Sequence, residues 1–214
     1  MRAFVQRVSF GAACLLVSAP ALAGSIDTSA LERPWPKQRA HEYEVRRYAV
    51  RWRERASPSE GIFAGAEFVA PAAREAVWNI SADYADLGRR TPGVESVKVI
   101  EQSPTRQVIQ IDIKVLWKKL RLTFEIEREP PEAIRFRLVN DVIGEYRGVC
   151  RLTPEGQGTA MQMATWLQPA VRISPSLVLL AERIVMLHGI REFLGSCEEA
   201  GGLDNAPAPA ILPR

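Results

Sequence analysis

Few side chains in this sequence have the type and setting that acid–base chemistry needs. His188 follows Ile184 by one helical turn in a long apolar segment and could face a cavity. A lone histidine on a helix is, however, more often a residue at the edge of the core whose hydrogen bond is already made. His41 lies in a polar stretch, where we expect it to meet solvent. Tyr146 and Thr165 stand among apolar strand positions, and either hydroxyl could orient a ligand through one hydrogen bond worth about 1 kcal/mol.

The motifs of common catalytic sites are absent from the sequence. It contains no G-x-S-x-G, H-E-x-x-H, P-loop or Rossmann glycine pattern. Asp83 and Asp86 are three residues apart on a short predicted helix, where exposed or helix-end carboxylates are ordinary. An enzyme needs a positioned acid, base or nucleophile, and the sequence offers no coupled pair. We therefore expect no catalytic residue, no metal and no cofactor.

Two cysteines follow the first 23 residues, Cys150 and Cys197. In an oxidising compartment they could form a disulfide that ties the last helix to the sheet. Two buried free thiols are the other interpretation. Their spacing fits no usual zinc site, and no histidine adjoins either of them in sequence for thiol catalysis.

Residues 1–23 have the pattern of a cleavable signal peptide. Arg2 and Arg7 form a positive start, residues 10–19 are apolar, and residues 21–23 give an A-x-A cleavage site before Gly24. The apolar part is far shorter than the roughly 20 residues that a bilayer requires. The sequence therefore predicts export, most simply to a periplasm.

The charge balance argues against a nucleic-acid partner. Cleavage removes two arginines and no acid, which leaves 26 basic and 25 acidic residues. Five arginines between positions 46 and 55 alternate with apolar residues and lie among glutamates. We interpret them as a solvated strand face in preference to a contact with anionic lipid, although a transient contact with a membrane surface stays open.

Alternation of apolar and polar residues predicts an antiparallel sheet with one dry face. The odd positions from Ile109 to Trp117 are apolar, and even positions continue the pattern over 120–126 and 134–138. A turn at 57–61 follows an extended segment at 43–53 and predicts a hairpin. Further strands are expected at 66–70, 94–99, 145–153 and 159–168.

Helical spacing appears in three places. It predicts short helices over 72–80 and around Tyr84 and Leu87, before the Pro92-Gly93 turn, and a long helix over 177–197. Apolar residues spread nearly all round the long helix, so it should be buried on more than one side. The stripe expected to face the core comprises Leu177, Leu180, Ile184, Leu187 and Leu194.

The ends of the chain differ in composition from its middle. Residues 24–40 are polar and marked by prolines, so we expect an N-terminal arm without periodicity. Residues 41–199 should form one domain. Residues 200–214 are rich in proline and alanine and are predicted to be disordered.

This order of elements and several motifs resemble the START-like superfamily, also called the polyketide cyclase/dehydrase and coenzyme Q-binding (SRPBCC) group. The similar segments are AEFVAPAAREAVW at 66–78, ADYADL at 82–87, PGVESVKV at 92–99 and PPEAIRFRL at 130–138. The resemblance implies an α+β helix-grip fold. In that fold a curved antiparallel sheet wraps around a long C-terminal helix, and two short helices are inserted after the first strands.

The resemblance also implies a hydrophobic ligand held between the sheet and the long helix. Tyr84 and Leu87 would form the rim of the cavity, and Arg89-Arg90, where many relatives have an aromatic residue, suggests an anionic headgroup at the entrance. The other candidate ligand-binding residues are Ile111, Ile113, Phe124, Phe136, Tyr146, Met163, Thr165, Ile184 and His188.

Three functions are compatible with this pattern. The first is an exported protein that binds or carries a lipid, an isoprenoid or a polyketide-like compound. The second is a cyclase- or dehydratase-type enzyme with His188 and Tyr146 as acid–base groups. The third is a protein-interaction module that uses the apolar last helix. We favour binding or carriage because no coupled catalytic pair can be named.

Overall fold

The computed structural model describes residues 25–91, 93–115, 118–140 and 142–201, without the side chains of Leu87, Val115 and Lys118. The predicted signal peptide at 1–23 lies outside the described residues, as do nearly all of the predicted tail and the strand position Trp117. No helix within the described ranges is long and apolar enough to span a membrane.

The described strands form one antiparallel sheet. These nine strands pair in the order β1-β2-β3-β9-β8-β7-β6-β5-β4. They are β1 (Arg39–Val45), β2 (Tyr48–Ser57), β3 (Gly61–Ala70), β4 (Val94–Gln102), β5 (Arg106–Val115), β6 (Lys118–Glu129), β7 (Ala133–Leu138), β8 (Gly144–Glu155) and β9 (Gly158–Pro169).

Within the described residues, three helices cover one face of this sheet. Helices α1 (Arg74–Ala82) and α2 (Tyr84–Arg90) carry the chain from β3 to β4 at the far edge, and α3 (Pro175–Gly201) follows the last strand. This curved sheet with a long C-terminal helix confirms the predicted α+β helix-grip fold and its two inserted helices.

The period-2 pattern separates an inner face of the sheet, toward α3, from an outer face. On β2, Val50 and Trp52 are fully buried in the core shared with α3. Arg51 and Arg53 alternate with them and both pair with Glu67 on β3. Acids therefore neutralise this arginine-rich face, but the predicted solvated face is wrong at Arg53, whose side chain is only 15% exposed. It is not one strand, however, because Arg46 adopts a positive φ of 59° in a turn between β1 and β2.

Helix α3 packs on the sheet mainly through its C-terminal half. Ile190, Phe193, Leu194 and Cys197 are buried there, and the Phe193 ring meets Phe68 of β3 edge-on with 6.2 Å between centroids. The predicted core stripe is wrong at its start. Three of its members are exposed: Leu177, Leu180 and Ile184. Because apolar residues lie nearly all round this helix, the sequence pattern does not identify which of its sides is buried.

The end of α3 is fixed by charge. Glu198 accepts a hydrogen bond from Arg46 Nε at 2.9 Å and lies 3.2 Å from Arg47 Nε, so both arginines of the β1–β2 turn hold the same carboxylate. Such pairs contribute most where they are partly buried, and the Glu198 side chain is only 12% exposed. These two ion pairs add to the apolar packing that holds the last turns of the helix.

The N-terminal arm has neither helix nor strand over 25–38, and it packs on the outer face of the sheet. Leu31 and Trp35 are buried in a second cluster with Phe63, whose ring lies 5.5 Å from that of Trp35. The Arg53 guanidinium stacks over Trp35 at 5.1 Å. The arm is therefore a part of the folded domain, which a polar sequence with isolated apolar residues did not indicate.

Candidate functional site

A cavity of about 200 Å³ lies between α3 and the inner face of the sheet. Strands form its floor, and all three helices contribute to its roof. Nine of its twelve lining residues have no hydroxyl or thiol group: they are isoleucine, phenylalanine, methionine and glycine. The other three are Ser81, Tyr84 and Cys150. The full lining is Phe68, Ser81, Tyr84, Ile134, Phe136, Cys150, Met161, Met163, Met186, Gly189, Ile190 and Phe193.

Strand register determines the floor of the cavity. Met163 of β9 pairs with Cys150 of β8, and Cys150 pairs with Ile134 of β7, so one row of side chains crosses three strands. In the next row Phe136 pairs with Gly148. A Cβ atom at Gly148 would lie 2.2 Å from Phe136 Cζ, so only glycine lets this ring lie against the strand.

The roof comes from residues that the helix ends and turns hold in place. The Asp83 side chain accepts a hydrogen bond from the Asp86 amide at 2.9 Å and caps α2, which begins with Tyr84. From α3, Met186 and Ile190 face the cavity beside Gly189. Methionine side chains from both the floor and the roof give the lining the flexibility to fit irregular apolar shapes.

The polar atoms of the lining differ in what they bond. Ser81 Oγ donates to the carbonyl of Val77 at 2.8 Å. Tyr84 Oη is buried and has no hydrogen-bond partner. Burial raises the pKa of Tyr84 to about 12 and that of the Cys150 thiol to about 12, so both stay protonated near neutral pH. The cavity therefore carries no charge on its own lining.

An aromatic cluster separates this cavity from a buried carboxyl group. The rings of Phe124, Phe136 and Tyr146 lie 5.9–6.2 Å apart. Beyond them Glu182 of α3 accepts a hydrogen bond from Thr165 Oγ1 at 3.2 Å, and the Tyr146 hydroxyl acts on the same carboxyl group. Burial raises the pKa of Glu182 to about 7, although the hydroxyls of Thr165 and Tyr146 both act to lower it.

The structure brings together only some of the predicted site residues. Tyr84, Phe136 and Met163 line the cavity. The rings of Phe124 and Tyr146 pack against Phe136. The hydroxyls of Tyr146 and Thr165 are directed to Glu182. Ile111 packs against the core without lining the cavity, Ile113 is half-buried outside it, and the Leu87 side chain is not described.

Placing Ile184 and His188 at the cavity was wrong. Both are exposed, and Ile184 keeps 60% of its surface accessible. Helix α3 turns Met186, Gly189 and Ile190 inward instead. The acid–base pair suggested by His188 and Tyr146 therefore does not exist in this structure. Glu182 is the ionisable group that sequence reasoning missed, because a glutamate in a helix normally indicates the solvated side.

The two cysteines are free, buried thiols in the structure. Burial raises the pKa of Cys197 to about 12, as it does for Cys150, so neither has the thiolate character of a reactive cysteine. Within the described ranges, histidine, cysteine, aspartate and glutamate nowhere gather in the groups of three or more that would hold a metal ion.

The two arginines at the end of α2 share one carboxylate. Arg89 and Arg90 contact Asp86 at 3.0 and 2.7 Å. One acid offsets one of the two charges, and Arg89 stays 71% exposed. An anionic headgroup at this position remains a prediction.

Comparison with known proteins identifies the family. Residues 70–186, more than half of the chain, match the family described as polyketide cyclase / dehydrase and lipid transport. The chain belongs to this family, within the START-like (SRPBCC) group that the motifs indicated. No curated protein sequence matches it significantly.

Solved structures share the fold at low identity. A protein from Thermus thermophilus is 23% identical over 67% of this chain and 99% of its own, with a TM-score of 0.54. A STAR-related lipid transfer protein from Xanthomonas axonopodis is 16% identical over 68% and 93%, with a TM-score of 0.56. The Zhui aromatase/cyclase from a Streptomyces species is 16% identical over 64% and 92%, with a TM-score of 0.51.

The buried carboxyl group predicts an unusual pH dependence of stability. Because the pKa of Glu182 is about 7 in the fold and ordinarily 4.5, the folded state holds the proton more tightly. The contribution to the free energy of unfolding is fully present below pH 4.5 and is lost as pH rises to about 7, by at most about 3 kcal/mol. Glu182→Gln should remove this loss and be more stable than the wild type at pH 8.

Urea unfolding of both proteins at pH 5 and pH 8 measures this effect. Glu199→Gln, an exposed glutamate near the end of the same helix, is the matched control and should follow the wild type. Parallel pH profiles for the wild type and Glu182→Gln would contradict the assignment.

Proposed function

We propose that this protein binds and carries a hydrophobic small molecule, such as a lipid, an isoprenoid or a polyketide-like compound, in the cavity between α3 and the sheet. The observation that carries the proposal is the nearly complete apolar lining of a space large enough for a ligand. Apolar area transferred from water to such a site is worth about 25 cal/mol per Å², before the cost of ordering the ligand.

The size of the cavity limits what it can take. At about 200 Å³ it is smaller than most ligand pockets, and it is comparable to dry apolar cavities of about 150 Å³ that bind benzene. It therefore fits one ring or a short hydrocarbon segment. A longer ligand would need the methionine side chains to move, or it would have to extend toward the helical roof. The side chains of Met161, Met163 and Met186 are flexible enough to move.

Family membership supports binding of an apolar molecule. The family description includes lipid transport, and one structure of the same fold is a STAR-related lipid transfer protein. Another is an aromatase/cyclase, which keeps a cyclase- or dehydratase-type reaction as the alternative. We favour carriage because His188 is exposed and the described lining contains no charged acid or base.

We further propose that residues 1–23 direct the protein out of the cytoplasm and are removed, on the strength of the signal-peptide pattern described above.

A transient contact with an anionic membrane surface would deliver and collect such a ligand. Apolar side chains at the start of α3 and just before it are 43–71% exposed; they are Val171, Ile173, Leu177, Leu180, Ile184 and Val185. The charged residues from 171 to 191 are Arg172, Arg183, Arg191 and Glu182, and the Glu182 carboxyl is turned inward to Thr165. This apolar, cationic surface fits anionic lipid headgroups.

Filling the cavity should weaken binding strongly without damage to the fold. A Cβ atom at Gly189 would meet nothing within 4 Å, and Gly189 lines the cavity in the middle of α3. We expect Gly189→Leu to lower the affinity for an apolar fluorescent probe at least tenfold, and Gly189→Ala to bind nearly normally. Both variants should melt at or above the wild-type temperature, because glycine disfavours helix interiors by about 1 kcal/mol. Equal probe binding by all three proteins would contradict the site.

The membrane contact predicts a specific loss on substitution. Leu180→Asn combined with Ile184→Asn should reduce sedimentation with phosphatidylglycerol vesicles several-fold, because it removes apolar surface that would enter the interface. Val99→Asn combined with Ile100→Asn, exposed apolar residues on β4, is the matched control. Equal sedimentation of both variants and the wild type would exclude this surface.

Export predicts a defined mature protein. Mass spectrometry of the protein recovered from its native host should give a chain that begins at Gly24 in the envelope fraction. A full-length chain in the cytoplasmic fraction would contradict export.

A further inference from the structure

The hydroxyl of Tyr84 is a buried polar group without a partner. Its oxygen has almost no contact with solvent and forms no hydrogen bond, while its side chain lines the cavity. Nearly all buried polar groups in proteins are hydrogen-bonded, because an unpaired one loses its water contacts without compensation. The exception here belongs to a side chain that lines a cavity suited to a ligand, so a ligand atom that reaches Oη would supply the missing partner.

The other polar groups of the lining do not compete for this role. Ser81 donates its hydroxyl hydrogen to the Val77 carbonyl at 2.8 Å. Cys150 is a thiol, which is a weak donor, and burial keeps it protonated. In the described lining, Tyr84 is thus the strong donor that remains available to a bound molecule.

The electrostatic setting of Tyr84 defines what it can bind. Burial raises the pKa of Tyr84 to about 12, against a smaller effect of the Arg128 charge, which lowers it. The hydroxyl therefore keeps its hydrogen and acts as a donor. Arg128 is held by the carbonyls of Ser103 and Pro104 at 2.8 and 3.1 Å, so its positive field at Tyr84 is fixed in place.

That field favours an oxygen that carries negative charge, but the lining offers no ion-pair partner for a full anion. The cavity lining contains no lysine, arginine or histidine. A carboxylate would therefore lose its hydration without an ion-pair partner, which is far more costly than the burial of a neutral carbonyl. A plain hydrocarbon, in contrast, would leave Tyr84 unpaired.

We propose that the ligand carries a neutral carbonyl oxygen, as in a ketone or ester, and that this oxygen accepts a hydrogen bond from Tyr84 Oη while the rest of the molecule fills the apolar cavity. This inference rests on the proposed function and narrows its ligand class. Tyr84 is then the residue that sets the orientation of an otherwise non-directional apolar ligand.

Three probes of one size test the proposal: ethylbenzene, acetophenone and benzoate. The wild type should bind the first two, and benzoate at least tenfold more weakly than acetophenone. Tyr84→Phe should weaken acetophenone about five- to tenfold, the usual effect of one hydrogen bond, and leave ethylbenzene unchanged. The infrared carbonyl stretch of bound, isotope-labelled acetophenone should lie at lower wavenumber in the wild type than in Tyr84→Phe.

Two controls keep the result interpretable. Tyr43→Phe removes a hydroxyl that bonds Arg183 Nη1 outside the cavity and should change neither affinity. The melting temperature of Tyr84→Phe without ligand should equal or exceed that of the wild type, because the lost hydroxyl has no partner in the fold.

The outcomes distinguish a failure of the proposed function from a failure of this inference alone. If the wild type binds neither ethylbenzene nor acetophenone, the proposed function fails and this inference fails with it. If the wild type binds both but Tyr84→Phe weakens them equally or not at all, or the carbonyl stretch is the same in both proteins, only the role of Tyr84 is overturned.

Discussion

The packing of the C-terminal half of α3 against the inner face of the sheet is the interaction on which the site depends. Ile190, Phe193 and Leu194 bury themselves against strands that are already paired edge to edge, and Glu198 fixes the last turns through the β1–β2 turn. At its other end the helix is held by Val178 with Ile62 and Leu167. A long helix fastened at both ends over a curved sheet leaves a space near its middle, and the cavity lies there.

Two half-buried tyrosines show how the same group can serve structure or binding. Tyr146 directs its hydroxyl to Glu182, next to Thr165, and this polar cluster joins the first half of α3 to β8 and β9. Tyr84 has no such partner, although it is similarly removed from water. The difference follows from what lies opposite each residue: a carboxyl group for Tyr146, and an apolar cavity for Tyr84. Phe136 separates the two environments and can do so because Gly148 has no side chain.

Sequence patterns predicted the elements better than their contacts. Alternation identified most strands and the side of Phe136 and Met163, and the motif around Tyr84 placed it at the cavity. Register is a long-range property, so Phe68, Ile134 and Cys150 could not be assigned to the lining before the pairing of β3, β9, β8 and β7 was known. The phase of α3 was lost because apolar residues surround it, which led to the errors at Ile184 and His188. Glu182 gave no signal at all, since its burial depends on Tyr146 and Thr165 from distant strands.

A crystal structure determined under xenon pressure would test the central claim most directly, because xenon enters apolar cavities that exclude water. The account predicts a single strong xenon site between Phe68, Met163 and Phe193, without ordered water beside it and with Tyr84 Oη still unpaired. A chain of ordered water molecules in that space, or side chains closed over it with no xenon bound, would contradict a dry cavity prepared for an apolar ligand.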